Sequence, residues 1–317
     1  MKVLVTGGAG YIGSVLVAKL IESGYEVNVL DDLSTGHRES IHTSANFIQG
    51  SILSQTDLKH SMQGCDVVFH FAAKTLVEES VRKPELYKLV NIDGTRSVLE
   101  EMKNSNLNKI IFSSTCAVYK TKDIPINEDD LLGPSSPYGE SKLLADRAIS
   151  EYCERYNLGG ISFRFFNAAG AFYAKKMGWL EEKHRPETHL IPNLLTSSND
   201  NSFKLYGKSW ETPDGTCIRD YVHVADLAEI CIRSTEKINK GTHEIFNLGS
   251  SKGVSVRQVI DEFELLSKRK INIEVLEKRA GDAKILVSDS RKAEIFLNWI
   301  PKNDLSQIIK SILKISS

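Results

Sequence analysis

The stretch that decides the fold is Thr6-Gly7-Gly8-Ala9-Gly10-Tyr11-Ile12-Gly13. It follows the short apolar run Val3-Leu4-Val5 and precedes a segment whose apolar residues recur at helical spacing. Gly7, Gly10 and Gly13 recur at every third position, which allows a tight turn, a close backbone approach to phosphate and close packing of helix on strand. The stretch therefore predicts a strand, a glycine turn and a helix whose N-terminus faces the phosphates of a dinucleotide.

An acidic pair, Asp31-Asp32, follows the second apolar run, Val27-Asn28-Val29-Leu30. Asp31 lies about twenty residues after the glycines, where a carboxylate accepts hydrogen bonds from the adenosine ribose hydroxyls. Its charge would repel the 2′-phosphate of NADP, and no Arg or Lys occurs between it and Arg38. The pattern predicts NAD rather than NADP.

The first half of the chain alternates short apolar runs with helical patterns. This alternation is typical of parallel strands joined by helical crossovers. Further strands are predicted at 47–48, 67–71, 109–112 and 160–164, with helices near 86–103 and 137–156. We therefore predict an α/β fold with a Rossmann-type, doubly wound parallel sheet.

The regular alternation of strands and helices becomes less clear after about residue 166. Residues 171–188 hold many charges and indicate a surface excursion, and four later segments show helical patterns. These segments are 189–197, 224–236, 255–268 and 304–315. We predict a dinucleotide-binding domain over 1–165 and a smaller α/β lobe over 166–317, with the segment around 220–236 packing back on the first domain.

Composition excludes several classes of protein. Forty basic and 41 acidic residues give a net charge of -1, with no basic footprint for a nucleic acid. The five cysteines lie far apart, which argues against a disulfide scaffold or a zinc site and favours a reducing compartment. No apolar run approaches the roughly 20 residues of a membrane span, and the N-terminal run is too short for a signal peptide. We predict a cytoplasmic protein with no metal, nucleic-acid or membrane partner.

Tyr138 and Lys142 are spaced i, i+4 directly after Pro137, a residue favoured in the first turn of a helix, so both side chains are predicted on one face. A free tyrosine titrates near pH ~10 and is a poor base at neutrality. A nearby ammonium and a positively charged nicotinamide favour the phenolate, which can accept a hydroxyl proton while hydride moves to NAD. The hydroxyls of Ser113-Ser114-Thr115 follow a predicted strand, at the sheet edge where ligands bind.

The glycine turn, strand-end hydroxyls and Tyr-Lys pair together resemble the extended short-chain dehydrogenase/reductase superfamily. Further motifs, ordered along nearly the whole chain to about Trp299-Ile300-Pro301, resemble the UDP-glucose 4-epimerase family. These motifs are Thr6–Gly13, His70-Phe71-Ala72-Ala73, Glu79-Ser80-Val81, Asn91-Ile92-Asp93-Gly94-Thr95, Phe166-Asn167, Glu187–Pro192, Asp214–Val224 and Arg279-Ala280-Gly281-Asp282. The resemblance implies a nucleotide-sugar-binding C-terminal lobe and a homodimer built on the helices near 86–103 and 137–156.

The resemblance also implies a reaction. Retained NAD takes hydride from C4 of a UDP-hexose and returns it to the other face of a 4-keto sugar, so UDP-glucose and UDP-galactose interconvert with no net redox change. Thr115, Tyr138 and Lys142 are then the catalytic trio: Thr115 bonds O4, Tyr138 takes the hydroxyl proton, and Lys142 binds the nicotinamide ribose and tunes Tyr138. Arg219 and Arg279 are expected to clamp the diphosphate, because a planar guanidinium matches phosphate oxygens.

The full set of predicted site residues, completed from the resemblance, falls into two groups. The predicted cofactor site comprises Gly7, Gly10, Tyr11, Ile12, Gly13, Asp31, Asp32, Thr35, Gly36, Ser51, Ile52, Phe71, Ala72, Ala73, Lys74, Asn91, Ser113, Tyr138, Lys142 and Phe165. The predicted substrate site comprises Lys74, Thr115, Tyr138, Asn167, His189, Leu190, Tyr206, Arg219, Tyr221, Arg279 and Asp282. His223 has no role in the implied reaction and is predicted to be structural.

Four positions depart from the family pattern or affect the choice of sugar. Ser51 stands near the adenine where the family usually has Asp, and Phe165 replaces a common Tyr beside the nicotinamide. Lys120 replaces a usual Gly. Leu286 falls at a pocket wall whose bulk is linked, within the family, to acceptance of N-acetylated sugars. The sequence leaves the choice between glucose and N-acetylglucosamine forms open.

Rival functions of the same fold differ at identifiable residues. The 4,6-dehydratases carry Asp-Glu after the strand-end hydroxyl, whereas Thr115 is followed by Cys116-Ala117, so no acid pair is available to eliminate water. Decarboxylases of UDP-glucuronate and epimerases of UDP-pentoses or UDP-uronates remain open. A non-catalytic NAD-binding sensor is a remote alternative, since such proteins typically lack the Tyr or the Lys.

Overall fold

The computed structural model describes residues 1–184, 187–198, 201–279 and 282–314. The first half contains β1 (Lys2–Thr6), α1 (Tyr11–Glu22), β2 (Glu26–Asp31), β3 (Asn46–Gln49), α2 (Gln55–Ser61), β4 (Val67–His70), α3 (Val77–Arg82), α4 (Pro84–Tyr87), α5 (Gly94–Asn104), β5 (Lys109–Thr115), α6 (Pro137–Tyr156) and β6 (Gly159–Phe165). The second half contains β7 (Asn167–Ala169), β8 (Phe172–Ala174), β9 (Gly178–Leu180), α7 (Leu190–Thr196), β10 (Phe203–Tyr206), β11 (Ile218–His223), α8 (Val224–Arg233), β12 (His243–Leu248), β13 (Gly253–Ser255), α9 (Val256–Ser267), β14 (Ile273–Leu276), β15 (Ile285–Leu286), α10 (Arg291–Leu297) and α11 (Leu305–Leu313).

The predicted Rossmann-type sheet is confirmed. Seven parallel strands lie in the order β12-β6-β5-β4-β1-β2-β3. The chain order runs outward from β1 to β3 on one side and from β4 to β12 on the other, so the topological switch point lies between β1 and β4. The carboxyl ends of neighbouring strands line up, with Thr6 opposite both Leu30 and His70, and Thr115 opposite Phe165. This edge is where ligands bind in open parallel sheets, and it carries the predicted site residues.

The central strand β1 is buried on both faces, as expected for a parallel sheet covered by helices on each side. Val3 and Val5 belong to one hydrophobic cluster, with α1 and α8, whereas Leu4 belongs to the other, with α2, α5 and α6. All three side chains have no solvent exposure. The apolar run that opens the chain therefore joins two cores and holds the glycine turn rigidly at its end.

The long helix α6 begins and ends as its sequence predicts. The Ser136 hydroxyl accepts a hydrogen bond from Gly139 N, and Pro137 occupies the first turn. The helix ends at Asn157, which adopts the left-handed conformation at φ 58°. A 20-residue helix thus carries Tyr138 and Lys142 in its first two turns, against the end of β5.

The helix predicted over 86–103 is wrong as a single element. Two short helices, α3 and α4, lead into a π-helical segment at Lys88–Asp93, and only then does α5 begin. The wider π turn contains Asn91, which hydrogen-bonds both the loop after β4 and α6. Single π turns are often found at functional sites.

The surface excursion predicted for residues 171–188 is also wrong in part. Strands β8 and β9 form an antiparallel hairpin whose Ala174 and Leu180 are buried against α1 and α8. Their register alternates inward and outward, a pattern masked in the sequence by the charges of the turn at 175–176. Three charged residues and a histidine, at 181–184, are half-buried after the hairpin.

The second half builds a separate core and also extends the main sheet. Strands β7, β11, β13 and β15 form a small mixed sheet, β10 pairs with β14, and α7, α9 and α11 enclose a third cluster around Leu194, Phe263 and Ile309. Strand β12 pairs with β6 as the seventh strand of the main sheet, and α8 packs on α1. The boundary at 165/166 stays a prediction.

In the part of the chain that the structure describes, no helix has both the length and the apolar character needed to cross a membrane.

Candidate active site

Two glycines of the turn are packed too closely against neighbouring backbone to carry a side chain. Gly7 has φ +74°, and a Cβ there would lie 2.5 Å from Ala72 N. A Cβ on Gly13 would collide with the carbonyl oxygen of Gly7. Gly10 is the N-cap of α1, and within residues 1–184 no side chain caps this end and no acidic residue lies in its first turn. The first N–H groups of α1 and the positive end of its dipole therefore favour an anion at this end of the helix.

The acid predicted for the adenosine ribose is held in place by backbone. Asp31 accepts hydrogen bonds from Ala9 N at 3.0 Å and from Leu33 N at 2.9 Å. Burial raises the pKa of Asp31, and these two hydrogen bonds oppose the shift. Asp32 caps its own turn by accepting from Ser34 N. The carboxylate of Asp31 thus stands at the end of β2, beside the glycine turn, as the sequence predicted.

The turn after Asp32 completes this side of the site. Thr35 is exposed, and Gly36 packs so closely that an added Cβ would lie 2.7 Å from Ala9 Cβ and 3.0 Å from an Asp31 oxygen. A side chain at position 36 would therefore push against the glycine turn itself.

At Ser51, where the family usually has an acid, the backbone is bonded to a carboxylate from another element. Asp57, in the first turn of α2, accepts a hydrogen bond from Ser51 N at 3.0 Å. Ser51 Oγ accepts from Leu53 N, and the neighbouring Ile52 is buried against Gly94. Asp57 was missed because an acid after a Ser cap is an ordinary helix-start signal.

The loop after β4 is fixed by two polar side chains. Thr6 Oγ1 accepts from Phe71 N and Ala72 N, and it is hydrogen-bonded to His70 Nδ1 at 2.7 Å. Asn91 then holds the backbone of Lys74 through bonds of 2.8 Å and 2.9 Å. The predicted cofactor residues Phe71 to Lys74 therefore form one rigid rim beside the glycine turn, with Ala73 inside it.

A pair of aromatic rings continues this rim. The rings of Phe71 and Phe165 lie 6.1 Å apart, and Ser113 Oγ donates to His70 O. Lys74 reaches across to donate to Ser34 Oγ at 3.0 Å. Residues predicted for the two ends of the cofactor are thus arranged along one continuous edge.

The half-buried Tyr138 lies close to Thr115. Burial raises the pKa of Tyr138 to about 12, and the interaction with the Thr115 hydroxyl lowers it in part. The Tyr87 ring packs edge-on against Tyr138, with centroids 6.4 Å apart at 84°. Tyr87 also donates to Leu76 O. Tyr87 was missed by sequence reasoning, because nothing in the pattern of a short helix reveals which ring it contacts.

Lys142 is buried with its ammonium over an aromatic face. Its Nζ lies 4.1 Å from the ring centroid of Phe112 on β5, and the residue is 2% exposed. Burial lowers the pKa of Lys142 to about 7, and Asp146 one turn further along α6 opposes this shift. A cation–π contact is worth up to about 2 kcal/mol when desolvated, which cannot by itself offset the burial of a charge. The ammonium is therefore held ready for a polar partner in the cleft.

The substrate side brings together three of the predicted residues. The Arg279 guanidinium lies 4.3 Å from the Tyr206 ring centroid, and its Nε is 3.4 Å from Asp282. Arg219 Nη1 donates to Ile218 O and to Ala283 O, at 2.9 Å and 2.8 Å. Arg279 thus lies beside Asp282, and Arg219 is bonded to the next residue, Ala283. Ala280 and Gly281, the centre of the predicted Arg-Ala-Gly-Asp motif, lie outside the described residues.

The other predicted substrate residues surround this group. Asn167 pairs with Tyr221 between β7 and β11 and donates to Asp220 O at 3.0 Å. His189 is the exposed N-cap of α7, directly before Leu190. Tyr221 is 8% exposed, and burial raises its pKa.

A buried carboxylate missed by sequence reasoning anchors this lobe. Asp220 accepts hydrogen bonds from the backbone and hydroxyl groups of Ser250 and Ser288, and from Ser251 N. It joins β11, which carries Arg219 and Tyr221, to the ends of β12 and β15. The sequence placed Asp220 within a motif but contained no signal that it faces three serines.

Among the described residues, one cluster has the composition of a metal site. The ligand atoms of Glu182, His184 and His189 lie within 4.8 Å of one another. Each imidazole Nδ1 is within hydrogen-bond distance of a carboxylate, His184 with Glu182 at 2.6 Å and His189 with Glu187 at 2.8 Å. These are hydrogen bonds that need no metal. The expectation of no metal stays a prediction.

His223 is engaged in local structure. It caps α8 by accepting from Ala225 N, and its other ring nitrogen contacts Ser311 on α11 at 3.2 Å. Tyr11, next to the glycine turn, donates to Gly170 O at 2.5 Å and so ties the first helix to the second half.

Known proteins resemble this chain over nearly its whole length. A model of the NAD dependent epimerase/dehydratase family matches residues 3–249. A UDP-glucose 4-epimerase of Corynebacterium glutamicum is 41% identical over 315 residues, covering 98% of this chain and 94% of the relative. The crystal structure of a UDP-glucose 4-epimerase from Brucella ovis in complex with NAD superposes with a TM-score of 0.91 at 38% identity, covering 98% and 96% of the two chains.

A UDP-Glc/GlcNAc 4-epimerase from Campylobacter jejuni also superposes, with a TM-score of 0.84, 31% identity and coverage of 99% and 98%. The match of the family model over most of the chain, together with relatives of this identity and coverage, shows the family. The chain belongs to the NAD dependent epimerase/dehydratase family.

Proposed function

We propose that this protein is an NAD-dependent 4-epimerase of UDP-hexoses, interconverting UDP-glucose and UDP-galactose through a 4-keto sugar. One observation carries the proposal. Tyr138 and Lys142 lie on adjacent turns of α6 beside Thr115, at the sheet edge that also holds the glycine turn. The relatives named UDP-glucose 4-epimerase, aligned over nearly the whole chain, support the same reaction.

NAD is the cofactor, and when bound as NAD+ it supplies a hydride acceptor that the polypeptide lacks. Gly7, Gly10 and Gly13 would hold its phosphates, and Asp31 its adenosine ribose. The site is built on rigid elements, since the turn, the loop after β4 and Asn91 are hydrogen-bonded to one another. A rigid site retains a cofactor through repeated turnovers better than a mobile one.

Tyr138 takes the proton of the sugar 4-hydroxyl as C4 loses its hydride, and the product is a 4-keto sugar. In the protein alone the pKa of Tyr138 is raised to about 12 by burial, so the phenolate requires nearby positive charge. The Lys142 ammonium supplies part of that charge. Thr115 donates to O4, or accepts from it, and so keeps the reacting oxygen beside the phenol.

Once the ketone has formed, the sugar turns over and Tyr138 returns the same proton to O4. Hydride returns to the opposite face of C4, and the configuration is inverted with no net oxidation. This requires that the nucleotide stay bound while the sugar moves. Arg219 and Arg279 would bind the diphosphate, and Tyr206 and Asp282 would contact the uridine, so that only the sugar rotates.

The identity of the sugar depends on the pocket wall. Leu286 packs half-buried against the cluster that contains Cys116, Val118 and Phe166, next to Thr115. The direct test is incubation of the purified protein with UDP-glucose, UDP-galactose, their N-acetylated forms, UDP-xylose and UDP-glucuronate, with products separated by chromatography. Interconversion of the two hexoses supports the proposal, and conversion of another sugar alone would replace it.

We also propose that the protein is a cytoplasmic homodimer. The apolar side chains of Val77, Val81 and Leu89 are 49%, 64% and 46% exposed on the segment that leads into α5, close to α6. Exposed apolar side chains on neighbouring helices support a helical interface. The five cysteines are free thiols, in keeping with a reducing compartment. Light scattering at several concentrations would report a mass near twice 35.4 kDa.

A further inference from the structure

The face of α6 that carries Tyr138 and Lys142 continues to a third polar residue with no assigned role. Asp146 follows Lys142 by four residues, which places it one helical turn further along the same face. It is 2% exposed, as buried as Lys142 itself. A buried carboxylate is rare unless it is paired, so its partners need an account.

Asp146 is paired through only one of its two oxygens. Oδ2 accepts from Ser114 Oγ at 2.9 Å and from Arg164 Nε at 3.3 Å. Oδ1 is buried and has no hydrogen-bond partner among the described residues. A carboxylate that served only to pair with Arg164 would gain from using both oxygens, because the fork of a guanidinium fits two.

Arg164 has its own second partner, which turns part of its charge away from Asp146. Its Nη1 donates to the Tyr119 hydroxyl at 2.7 Å, and that hydroxyl donates to Asn247 Oδ1 at 2.7 Å. The Arg164 guanidinium is therefore shared between two buried partners, the Asp146 carboxylate and the Tyr119 hydroxyl. The negative charge of Asp146 stays available to a second cation, and Lys142 is the cation one turn away.

We propose that Asp146 is a positioning residue whose negative charge keeps the Lys142 ammonium charged beside Tyr138. The inference rests on the proposed function for its catalytic meaning, but its physical content concerns two side chains of this chain alone. Lys142 has an aromatic face below it at Phe112, and Asp146 is the counter-charge that opposes the effect of burial. Without that charge, the neutral amine would be favoured in so buried a position.

The other groups that face this pair do not replace Asp146. His70 on β4 lies against Phe112, and burial lowers its pKa to about 3, so it is neutral at working pH. His243 on β12 also faces Asp146 and Arg164, and burial lowers its pKa. Tyr138 is a neutral phenol in the protein alone, and Arg164 is a cation that repels Lys142.

The test measures Lys142 directly, by NMR titration of protein labelled with [ε-13C]lysine. The signal of Lys142 is assigned by its loss in Lys142→Met. We expect Asp146→Asn to lower the pKa of Lys142 further below about 7, and Arg164→Met to raise it. If the ion pair between Asp146 and Arg164 were purely structural, both variants would lose similar stability. The pKa of Lys142 would then not shift in opposite directions in the two variants.

Asp226→Asn is the matched control, since Asp226 is also a buried carboxylate, bonded to the backbone of Lys302 and Asn303 and remote from α6. This variant should have a lower free energy of unfolding and an unchanged pKa of Lys142. An unchanged Lys142 pKa in Asp146→Asn overturns the proposal. If Asp146→Asn does not fold, Arg164→Met decides, because a Lys142 pKa that stays or falls there also overturns it.

Activity provides the second readout. Asp146→Asn should lower kcat about tenfold or more, with a larger loss near pH ~8 than near pH ~6, because the protonated fraction of Lys142 falls about tenfold per pH unit above its pKa. Asp146→Glu should recover most of the rate. If no sugar is epimerised by the unmodified protein while the NMR shifts occur, the proposed function fails and the inference stands; the reverse result rejects the inference alone.

Discussion

The Lys142 ammonium lies 4.1 Å above the ring of Phe112, in a position that solvent does not reach. Phe112 belongs to β5, three residues before Thr115, and its ring also stacks with that of His70. Helix α6 is therefore joined to the central sheet by a cation on an aromatic ring as well as by the ion pair between Asp146 and Arg164.

This burial has a measurable effect on stability. The pKa of Lys142 falls from 10.5 to about 7 in the folded protein, so between these values the unfolded chain binds more protons than the folded one. The contribution of Lys142 is fully favourable above pH 10.5 and is lost as pH falls through about 7. We expect Lys142→Met to raise the urea midpoint of cofactor-free protein at pH ~7 and to flatten its rise toward pH ~10. Lys252→Met, at an exposed position, should change neither, and an equal response of the two variants would contradict the prediction.

Removal of the Tyr138 hydroxyl should separate chemistry from folding. We expect Tyr138→Phe to fold and to retain NAD, but to epimerise at least about 100-fold more slowly. Proton transfer by a positioned side chain accelerates a reaction by about that factor or more. Product chromatography gives the rate, and absorbance of the denatured protein's supernatant gives the bound cofactor. Tyr152→Phe is the control on the same helix, where the hydroxyl contacts Glu100 at the surface. Activity of Tyr138→Phe within a few-fold of the parent would remove its assigned role.

The arginines should affect binding more than chemistry. We expect Arg219→Ala to weaken UDP binding by about tenfold or more, because a hydrogen bond to a charged group contributes about 1.5–3 kcal/mol. Part of the loss comes from the freed carbonyls of Ile218 and Ala283. Calorimetric titration with UDP measures the affinity. Arg257→Ala, at an exposed ion pair with Asp261, is the control and should bind UDP normally. Equal affinity of the Arg219→Ala variant and the parent would argue against the clamp.

Two glycines of similar backbone conformation offer a test of the cofactor turn. Gly7 and Gly24 have φ +74° and +83°, so an Ala at either costs about 1–2 kcal/mol for the left-handed conformation. Only at Gly7 would the new Cβ meet backbone, at Ala72, whereas Gly24 has open space. We expect Gly7→Ala to purify without NAD and Gly24→Ala to retain it at a slightly lower Tm. Retention of NAD by both variants would show that the turn does not need this close approach.

The sheet and its glycine turn could be predicted because both are local patterns. The run Val3-Leu4-Val5 is continuous and buried on both faces, and the glycines follow it at fixed spacing. Strand β12 was missed, since its sequence His243-Glu244-Ile245-Phe246-Asn247-Leu248 mixes polar and apolar residues, and it lies at the edge of the sheet. Long-range pairing, not local preference, makes it a strand.

The candidate site shows the same division. Tyr138 and Lys142 were predictable from one helix and its cap, and Asp31 from its distance to the glycines. Asp57, Tyr87 and Asp146 were not, because each acts through a contact between elements that are distant in sequence or hidden by a helix-typical residue. Sequence spacing shows which residues share a face of one helix or strand. The roles of these three side chains depend instead on contacts with other elements, which spacing does not show.

Strand β12 also bears on how the protein can be made and divided. It pairs with β6 along its whole length, from Gly160 opposite His243 to Phe165 opposite Leu248. A fragment that stops near residue 165 would expose β6, every residue of which is buried in the intact chain, as a long apolar edge. Such edges template association between chains, so we expect the isolated first half to aggregate, and a nascent chain to remain at risk until residue 248 has emerged.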